Sequence, residues 1–160
     1  MSNKMFDFDI ETLGEAKISS PIRMSRNNGD GMADYVCDED RVLYSVQTHE
    51  EDGVRKPLLD DTMEEAGPRE KIYFNPSHVH AAICTCGGIC PGLNNVIRAV
   101  VRCFWYRYGV RRISGIQYGY LGLLENSSWP LIPLDPDVVD DIQEKGGTIL
   151  GSARGGGKQV

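Results

Sequence analysis

The sequence predicts an α/β fold, the start of a doubly wound parallel sheet, from three observations. Residues Ala81 to Cys86 form a short apolar run bounded by turn residues, like a strand covered on both faces. Glycines and a proline follow, at Gly87, Gly88, Pro91 and Gly92, and then Leu93, Val96, Ile97, Val100, Val101, Phe104, Trp105 and Tyr108 recur at helical spacing. Arg111 to Gln117 reads as a second strand, and a right-handed crossover places it parallel to the first.

Taken in order, Met1 to about Arg69 carries the weakest pattern and reads as an irregular N-terminal extension, residues 1–70. It holds a loop at Arg26-Asn27-Asn28-Gly29-Asp30-Gly31, one short strand or helix at Arg41 to Gln47, and solvated acidic stretches at Glu50-Glu51-Asp52-Gly53 and Asp60-Asp61. Ala66-Gly67-Pro68 marks the entry to a second region, residues 71–160, with Lys71 to Phe74 as an edge strand. The periodic stretch from Leu93 predicts one α-helix of about 25 Å at ~1.5 Å per residue. Gly109 stands at its C′ position. Tyr118 to Leu124 is a glycine-punctuated loop at the C-terminal end of the second strand. Asp135-Pro136 then opens another helix, with an N-cap followed by proline at the first position. Val138, Val139 and Ile142 form its buried stripe, and Gly146 ends it. Asp137, Asp140 and Asp141 favour that helix's dipole.

Charge divides along the same line. Residues 1–70 hold 17 acidic and 8 basic side chains, net −9, and residues 71–160 hold 6 acidic and 9 basic, net +3. A positive segment suits an anionic ligand. No basic helix stripe with stacking aromatics points to nucleic acid. No apolar run approaches the ~18 residues of a membrane span. The acidic start has no apolar leader core, so cytoplasm is the default compartment. An odd set of five cysteines, Cys37, Cys84, Cys86, Cys90 and Cys103, argues against a disulfide framework. Cys84-x-Cys86-x-x-x-Cys90, preceded by His78 and His80, admits a metal-binding reading. Its spacing matches no standard zinc pattern, and the same cysteines serve equally as small strand and loop residues. No metal ligands are assigned on these grounds.

A glycine turn between a strand and a helix lets backbone approach a ligand and aims free N–H groups at it, with the helix dipole adding positive potential. Phosphate is the natural guest, although the same glycines also make a plain βα turn. Neither G-x-x-x-x-G-K-[ST] nor G-x-G-x-x-G is present. Arg154, amid Gly151, Ser152, Ala153, Gly155, Gly156 and Gly157, is an arginine able to reach a phosphate from a closely packed loop. The other reading is a flexible arginine close to the last residue.

The run T-C-G-G-I-C-P-G-L-N-N-V-I-R, Thr85 to Arg98, resembles the first glycine loop of the phosphofructokinase family. Gly115 to Leu123, ending G-Y-L-G-L, resembles that family's second-strand segment, and Gly146 to Gly155, G-G-T-I-L-G-S-A-R-G, a third motif. The match runs over about Ala66 to Lys158. Ala66 to Phe74 resembles the long-N-terminus branch that includes plant and trypanosomatid enzymes.

The resemblance implies a Rossmann-like domain, incomplete in this chain, in which Gly87, Gly88 and Gly92 admit the donor phosphates. It also implies that Arg154 and Gly155 contact the donor and that Tyr120 borders the nucleotide base; a packed loop aromatic is the other reading of Tyr120. In short bacterial members the arginines matching Arg98 and Arg102 bind a regulatory nucleotide between subunits; a solvated polar face is the other reading. The implied reaction is phosphoryl transfer from ATP or pyrophosphate to the 1-hydroxyl of fructose 6-phosphate, with magnesium, in a homo-oligomer whose extension wraps the core or joins subunits. The family's aspartate base, magnesium segment and sugar-phosphate pocket have no counterpart in residues 1–160. No catalytic residue is therefore assigned here, and these residues alone are expected to be inactive. A non-catalytic nucleotide-binding or interaction module is the alternative expectation.

Overall fold

A computed structural model describes residues 8–27, 29–57 and 62–154. The chain divides into two compact units, Met1–Tyr73 and Phe74–Val160.

The first unit is built from three antiparallel pairs of short strands. Strand β1 (Ile18–Ser19) pairs with β6 (Lys71–Ile72), β2 (Arg41–Leu43) with β5 (Thr62–Glu64), and β3 (Thr48–Glu51) with β4 (Val54–Pro57). The β3–β4 hairpin turns on Asp52 and Gly53, both left-handed at φ 55° and 75°. Asp-Gly is the dipeptide that a two-residue hairpin turn demands, because its twist matches that of the strands. The acidic stretch Glu50 to Gly53 is therefore half strand and half turn, and Lys56 Nζ pairs with Glu51 across it at 2.8 Å. Of the run expected at Arg41 to Gln47, only Arg41–Leu43 forms a strand. No apolar side chain is buried in this unit among the described residues. Polar ties hold it instead. Arg69 meets Asp38 at 3.0 Å and donates to the Glu65 carbonyl at 2.7 Å, Lys71 Nζ bonds Ser19 Oγ at 2.8 Å, and Arg26 pairs with Glu70. In the loop expected at Arg26 to Gly31, the Asp30 carboxylate accepts from the Ser25 hydroxyl and from the Met32 amide. Those two bonds, the hydroxyl first, hold its carboxyl below the usual value.

The second unit is a mixed α/β arrangement, with a three-stranded, partly parallel sheet and one α-helix. Strand β7 (His80–Cys84) runs parallel to β8 (Arg112–Ile116), His80 opposite Arg112 and Cys84 opposite Ile116. β8 is also paired antiparallel with β9 (Ile132–Pro133). Between β7 and β8 lies α1 (Leu93–Arg102), whose Ile97 and Val101 face a core with Val110, Ile113, Leu134, Val139, Ile142 and Leu150.

Two expectations are corrected here. The α-helix stops at Arg102, about 15 Å at ~1.5 Å per residue, and residues Cys103–Tyr108 continue it as a wider π-helical turn closed by left-handed Gly109. Three rings, Phe104, Trp105 and Tyr108, pack against the core from this turn. Such i→i+5 turns are rare and occur mostly as single turns set within or against α-helices. Of the predicted helical face, Val96 is 60% exposed.

The helix expected from Asp135 does not form either. Asp135 Oδ1 does cap, accepting from the amides of Asp137 and Val138 at 2.9 Å each. One turn follows, and then only a short 3-10 segment at Ile142–Glu144. Two β-branched valines and three aspartates make a weak helix former, and Gly146 comes too soon for the turn to propagate. Val139 and Ile142 are buried as expected, whereas Val138 is exposed. The stretch is anchored by α1 instead. Arg102 Nη2 lies 2.5 Å from Asp140 Oδ1, with Arg98 Nη2 at 3.7 Å from the same oxygen and Arg98 Nε donating to the Asp140 carbonyl at 3.2 Å. Arg98 and Arg102 thus tie this stretch to α1 through bonds that remain exposed to solvent.

Candidate functional site

The C-terminal ends of β7 and β8 gather three segments of the second unit. Beyond Cys84, Thr85 donates its hydroxyl to the Gly151 carbonyl at 2.7 Å, and Cys86 forms a parallel bridge with Ala153. The Gly87 amide donates to the Ala153 carbonyl at 3.1 Å, while the Gly87 carbonyl accepts from Ser152 Oγ at 2.5 Å. From the end of β8, the Tyr118 amide donates to the Leu150 carbonyl at 2.9 Å. Asn94, buried in the first turn of α1, fixes the same segment from the other side. Its Nδ2 donates to the Lys145 carbonyl at 2.9 Å and its Oδ1 accepts from the Ile149 amide at 2.8 Å.

Gly88 and Arg154 come together. A Cβ at Gly88 would stand 3.1 Å from Arg154 Nη2, so the glycine leaves the space that the guanidinium fills. Gly87 and Gly92 are both left-handed, φ 91° and 88°, a conformation that other residues resist. Gly87 has no amide to offer a ligand, because Ala153 takes it. The free donors lie further on. The amides of Gly88, Ile89 and Cys90, and those of Leu93, Asn94 and Asn95 in the first helical turn, have no acceptor among the described residues. Unpaired amides in a loop and at a helix N-terminus, with the helix dipole and an arginine nearby, are the groups that suit an anion.

Tyr120 sits in a 3-10 turn, Gly119–Leu123, and is 66% exposed. Its neighbour Gly119 abuts the loop: a Cβ there would lie 3.2 Å from Cys86 Sγ and 3.5 Å from the carbonyls of Thr85 and Ala153. Tyr118 is the aromatic that packs. It takes a left-handed backbone at φ 56°, and its ring covers Gly151 and meets Trp129 at 4.8 Å between centroids. Gly155 lies outside the described residues, as do Asp60 and Asp61.

Sequence reasoning chose the glycines and the arginine and passed over Thr85, Asn94, Ser152 and Tyr118, which assemble the loop. The available signal was a polar residue inside each apolar or glycine motif, where a side chain must bond backbone. Cys84 Sγ and Cys86 Sγ stand 3.4 Å apart, and no group of three or more His, Cys, Asp or Glu side chains among the described residues is arranged to hold a metal ion. No helix among them is long and apolar enough to cross a membrane.

Comparison with known proteins places these features in one family. The family model described as "Phosphofructokinase" matches residues 80–159, which contain every residue discussed at this site. Over 160 residues, the whole chain is 51% identical to an ATP-dependent 6-phosphofructokinase of Borreliella burgdorferi, covering 35% of that protein. An ATP-dependent 6-phosphofructokinase of Amycolatopsis methanolica is 42% identical over 98% of the chain and 34% of its own length. ATP-dependent 6-phosphofructokinase 7 of Arabidopsis thaliana is 56% identical over 91 residues, 57% of the chain and 18% of the relative. The chain thus spans about a third of the length of the first two relatives.

Proposed function

The chain belongs to the phosphofructokinase family, and we propose that it forms the donor-binding part of an ATP-dependent 6-phosphofructokinase. The complete protein would transfer the terminal phosphoryl group of ATP to the 1-hydroxyl of fructose 6-phosphate. ATP is chosen over pyrophosphate because the relatives above carry ATP in their names. The observation that carries the reading is the seat of Arg154 against Gly88, beside amides with no acceptor among the described residues.

In this reading Arg154 supplies a planar set of charged donors to the donor's phosphate oxygens. The amides of Gly88, Ile89 and Cys90 and the start of α1 bind the same oxygens. Gly87 and Gly92 shape the turn, and their positive φ lets the loop reverse twice within six residues. Tyr120 borders the base, and Gly155 continues the arginine's segment at the donor. Such groups accelerate transfer by holding the phosphates and by stabilising charge as it spreads over them. Magnesium, when bound with the donor, neutralises phosphate charge. We assign its ligands, the base that activates the sugar hydroxyl and the sugar-phosphate pocket to parts of the protein outside residues 1–160, so that these residues alone do not turn over. We further propose that the sheet belongs to a doubly wound, Rossmann-like domain, that residues 1–70 are an extension of it, and that the protein works as a homo-oligomer.

The test is a coupled assay of the full-length protein with fructose 6-phosphate and magnesium, using ATP or pyrophosphate, on wild type and Arg154→Ala. ATP-dependent turnover that falls ~100-fold or more in the variant is expected, the size of a lost charge-stabilising group. Turnover with pyrophosphate alone would overturn the choice of donor. Binding of ATP without turnover would leave a nucleotide-binding module.

A further inference from the structure

Cys84 ends β7 and Cys86 opens the glycine loop, two residues apart and so on one side of an extended segment. Their sulfurs stand 3.4 Å apart, and both are free thiols. A disulfide requires ~2.05 Å, so closure moves the two atoms together by little more than an ångström. Exposure divides the pair. Cys86 is exposed and Cys84 is half-buried. Burial first, then the hydrogen bond and charge of Cys86, push the Cys84 thiol up to about 11. Cys86 therefore meets an oxidant first. Once the Cys86 sulfur carries a mixed disulfide, the Cys84 sulfur beside it is the thiol placed to attack it.

We propose that Cys84 and Cys86 are a reversible redox pair that closes to an intramolecular disulfide under a low-molecular-weight disulfide such as oxidised glutathione. The Cys86 thiolate attacks one sulfur of the oxidant, forming Cys86–S–S–glutathione and releasing one glutathione thiol. The Cys84 thiolate then attacks Cys86 Sγ, forming Cys84–S–S–Cys86 and releasing the second. Two protein thiols lose two electrons and two protons, and one oxidant molecule becomes two reduced thiols. The pairing departs from the odd cysteine count, which argues against a framework of structural disulfides and is silent on a switchable one.

The pair lies at the root of the site. Cys86 bridges Ala153, the Gly87 amide is held by the Ala153 carbonyl, and Gly119 leaves the space beside the Cys86 sulfur. Drawing that sulfur to Cys84 changes its packing beside Gly119 and loads the Cys86–Ala153 bridge, one residue from Arg154. Weaker donor binding by the oxidised protein follows, and this consequence alone rests on the donor-cradle reading.

The experiment treats the full-length protein with reduced or oxidised glutathione, blocks remaining thiols with N-ethylmaleimide and maps peptides by mass. In the oxidised wild type the peptide spanning Cys84 to Cys90 is expected to lose two hydrogens and to carry its maleimide on Cys90, with reversal by dithiothreitol. Cys84→Ser should stop at a glutathione adduct on Cys86, and Cys84→Ala serves the same purpose if serine unfolds the strand end. A Cys86–Cys90 link, a lasting adduct on wild-type Cys86, or no modification overturns the proposal. Calorimetric titration with ATP alone is the second readout, with an affinity loss of about tenfold, ~1.4 kcal/mol, expected on oxidation. If the reduced protein binds no ATP, the cradle reading fails while the disulfide stands on its mass. If ATP binds and no disulfide forms, the redox pair alone fails.

Discussion

The two units are held together by different means. In the second unit the described residues share one apolar core in which Val101, Val139 and Leu150 are wholly buried, whereas residues 8–73 bury no apolar side chain among those described. The first unit relies on three pairs of short strands and on individual ion pairs and hydrogen bonds, most of them partly solvated. Burial of apolar area is cooperative and insensitive to salt, while exposed ion pairs contribute about 0–1 kcal/mol each and are screened. The difference teaches why the glycine loop and Arg154 are attached to the second unit. A cradle with fixed amides needs a support that does not shift with each surface contact.

Truncating the core tests this division most severely. Leu150→Ala should cost about 2–5 kcal/mol, the range for removing a buried leucine side chain. Its effect should appear as lost hydrogen-exchange protection in β8 and α1. Val54→Ala in the exposed hairpin should cost near zero. Equal effects of the two changes would break the distinction between a packed and a stitched unit. Gly115→Ala sharpens it from the opposite side. A Cβ at Gly115 meets Leu150 Cδ2 and stands 3.2 Å from Leu134 Cδ1, so overpacking should cost about 1–3 kcal/mol in the same readout.

Arg154→Ala separates binding from support. Arg154 is exposed and belongs to no core contact, so thermal stability should stay within about 0.5 kcal/mol, while ATP affinity measured by calorimetry should fall tenfold or more. A variant that melts early would make Arg154 a structural tie, and the loss of function would no longer speak for a cradle.

How far the sequence was legible follows the same division. The helical face of α1 could be read because burial imposes a period that is visible without knowing the partner, and the first parallel strand as an apolar run between turn residues, although its His80 and Ala82 are exposed rather than covered. Gly109 was readable for the same reason, as the residue that ends a periodic run. The π-helical turn at Cys103–Tyr108 was not, because its spacing departs only slightly from that of an α-helix and three adjacent rings satisfy both. The capped turn at Asp135 misled because a good N-cap announces a helix that the following residues cannot sustain. In the first unit the strands are two to four residues long, below the length at which alternation is distinguishable, and their pairing spans up to 54 positions, from Ile18 to Ile72. At the site, the glycines and Arg154 stood out by residue type. Thr85, Asn94 and Ser152 did not, since each acts by bonding a backbone group distant in sequence.

Arg69 offers a smaller perturbation within the stitched unit. Its side chain is mostly covered, but its partner Asp38 is largely exposed, so the ion pair is screened and its share discounted; the bond to the Glu65 carbonyl remains. Arg69→Ala should cost about 1 kcal/mol, seen as faster amide exchange at Val36 and in residues 65–70, with no change in β8. Raising the ionic strength should shrink the wild-type difference in the first unit and leave the second as it was. Salt-insensitive exchange in both would remove the electrostatic account.

The smallest expected effect is acid sensitivity at the turn beginning at Ser25. The Ser25 hydroxyl, and next the Met32 amide, hold the Asp30 carboxyl below its ordinary 3.8. For a depressed carboxyl the sign is fixed. Its contribution is complete above the unfolded value and is lost as pH falls through the lower folded value. Between neutrality and the ordinary carboxylate range the turn should therefore be unchanged, and below that range the Met32 amide resonance should shift as its acceptor is protonated. Asp30→Asn, which keeps one carbonyl acceptor and cannot titrate, should abolish that acid shift. Because Asp30 is exposed, the change should remain local and spare the core of the second unit. A Met32 shift that persists in Asp30→Asn, or one that travels with unfolding of β8, would show that acid acts through some other carboxylate and would end the case for a turn stitched by Asp30.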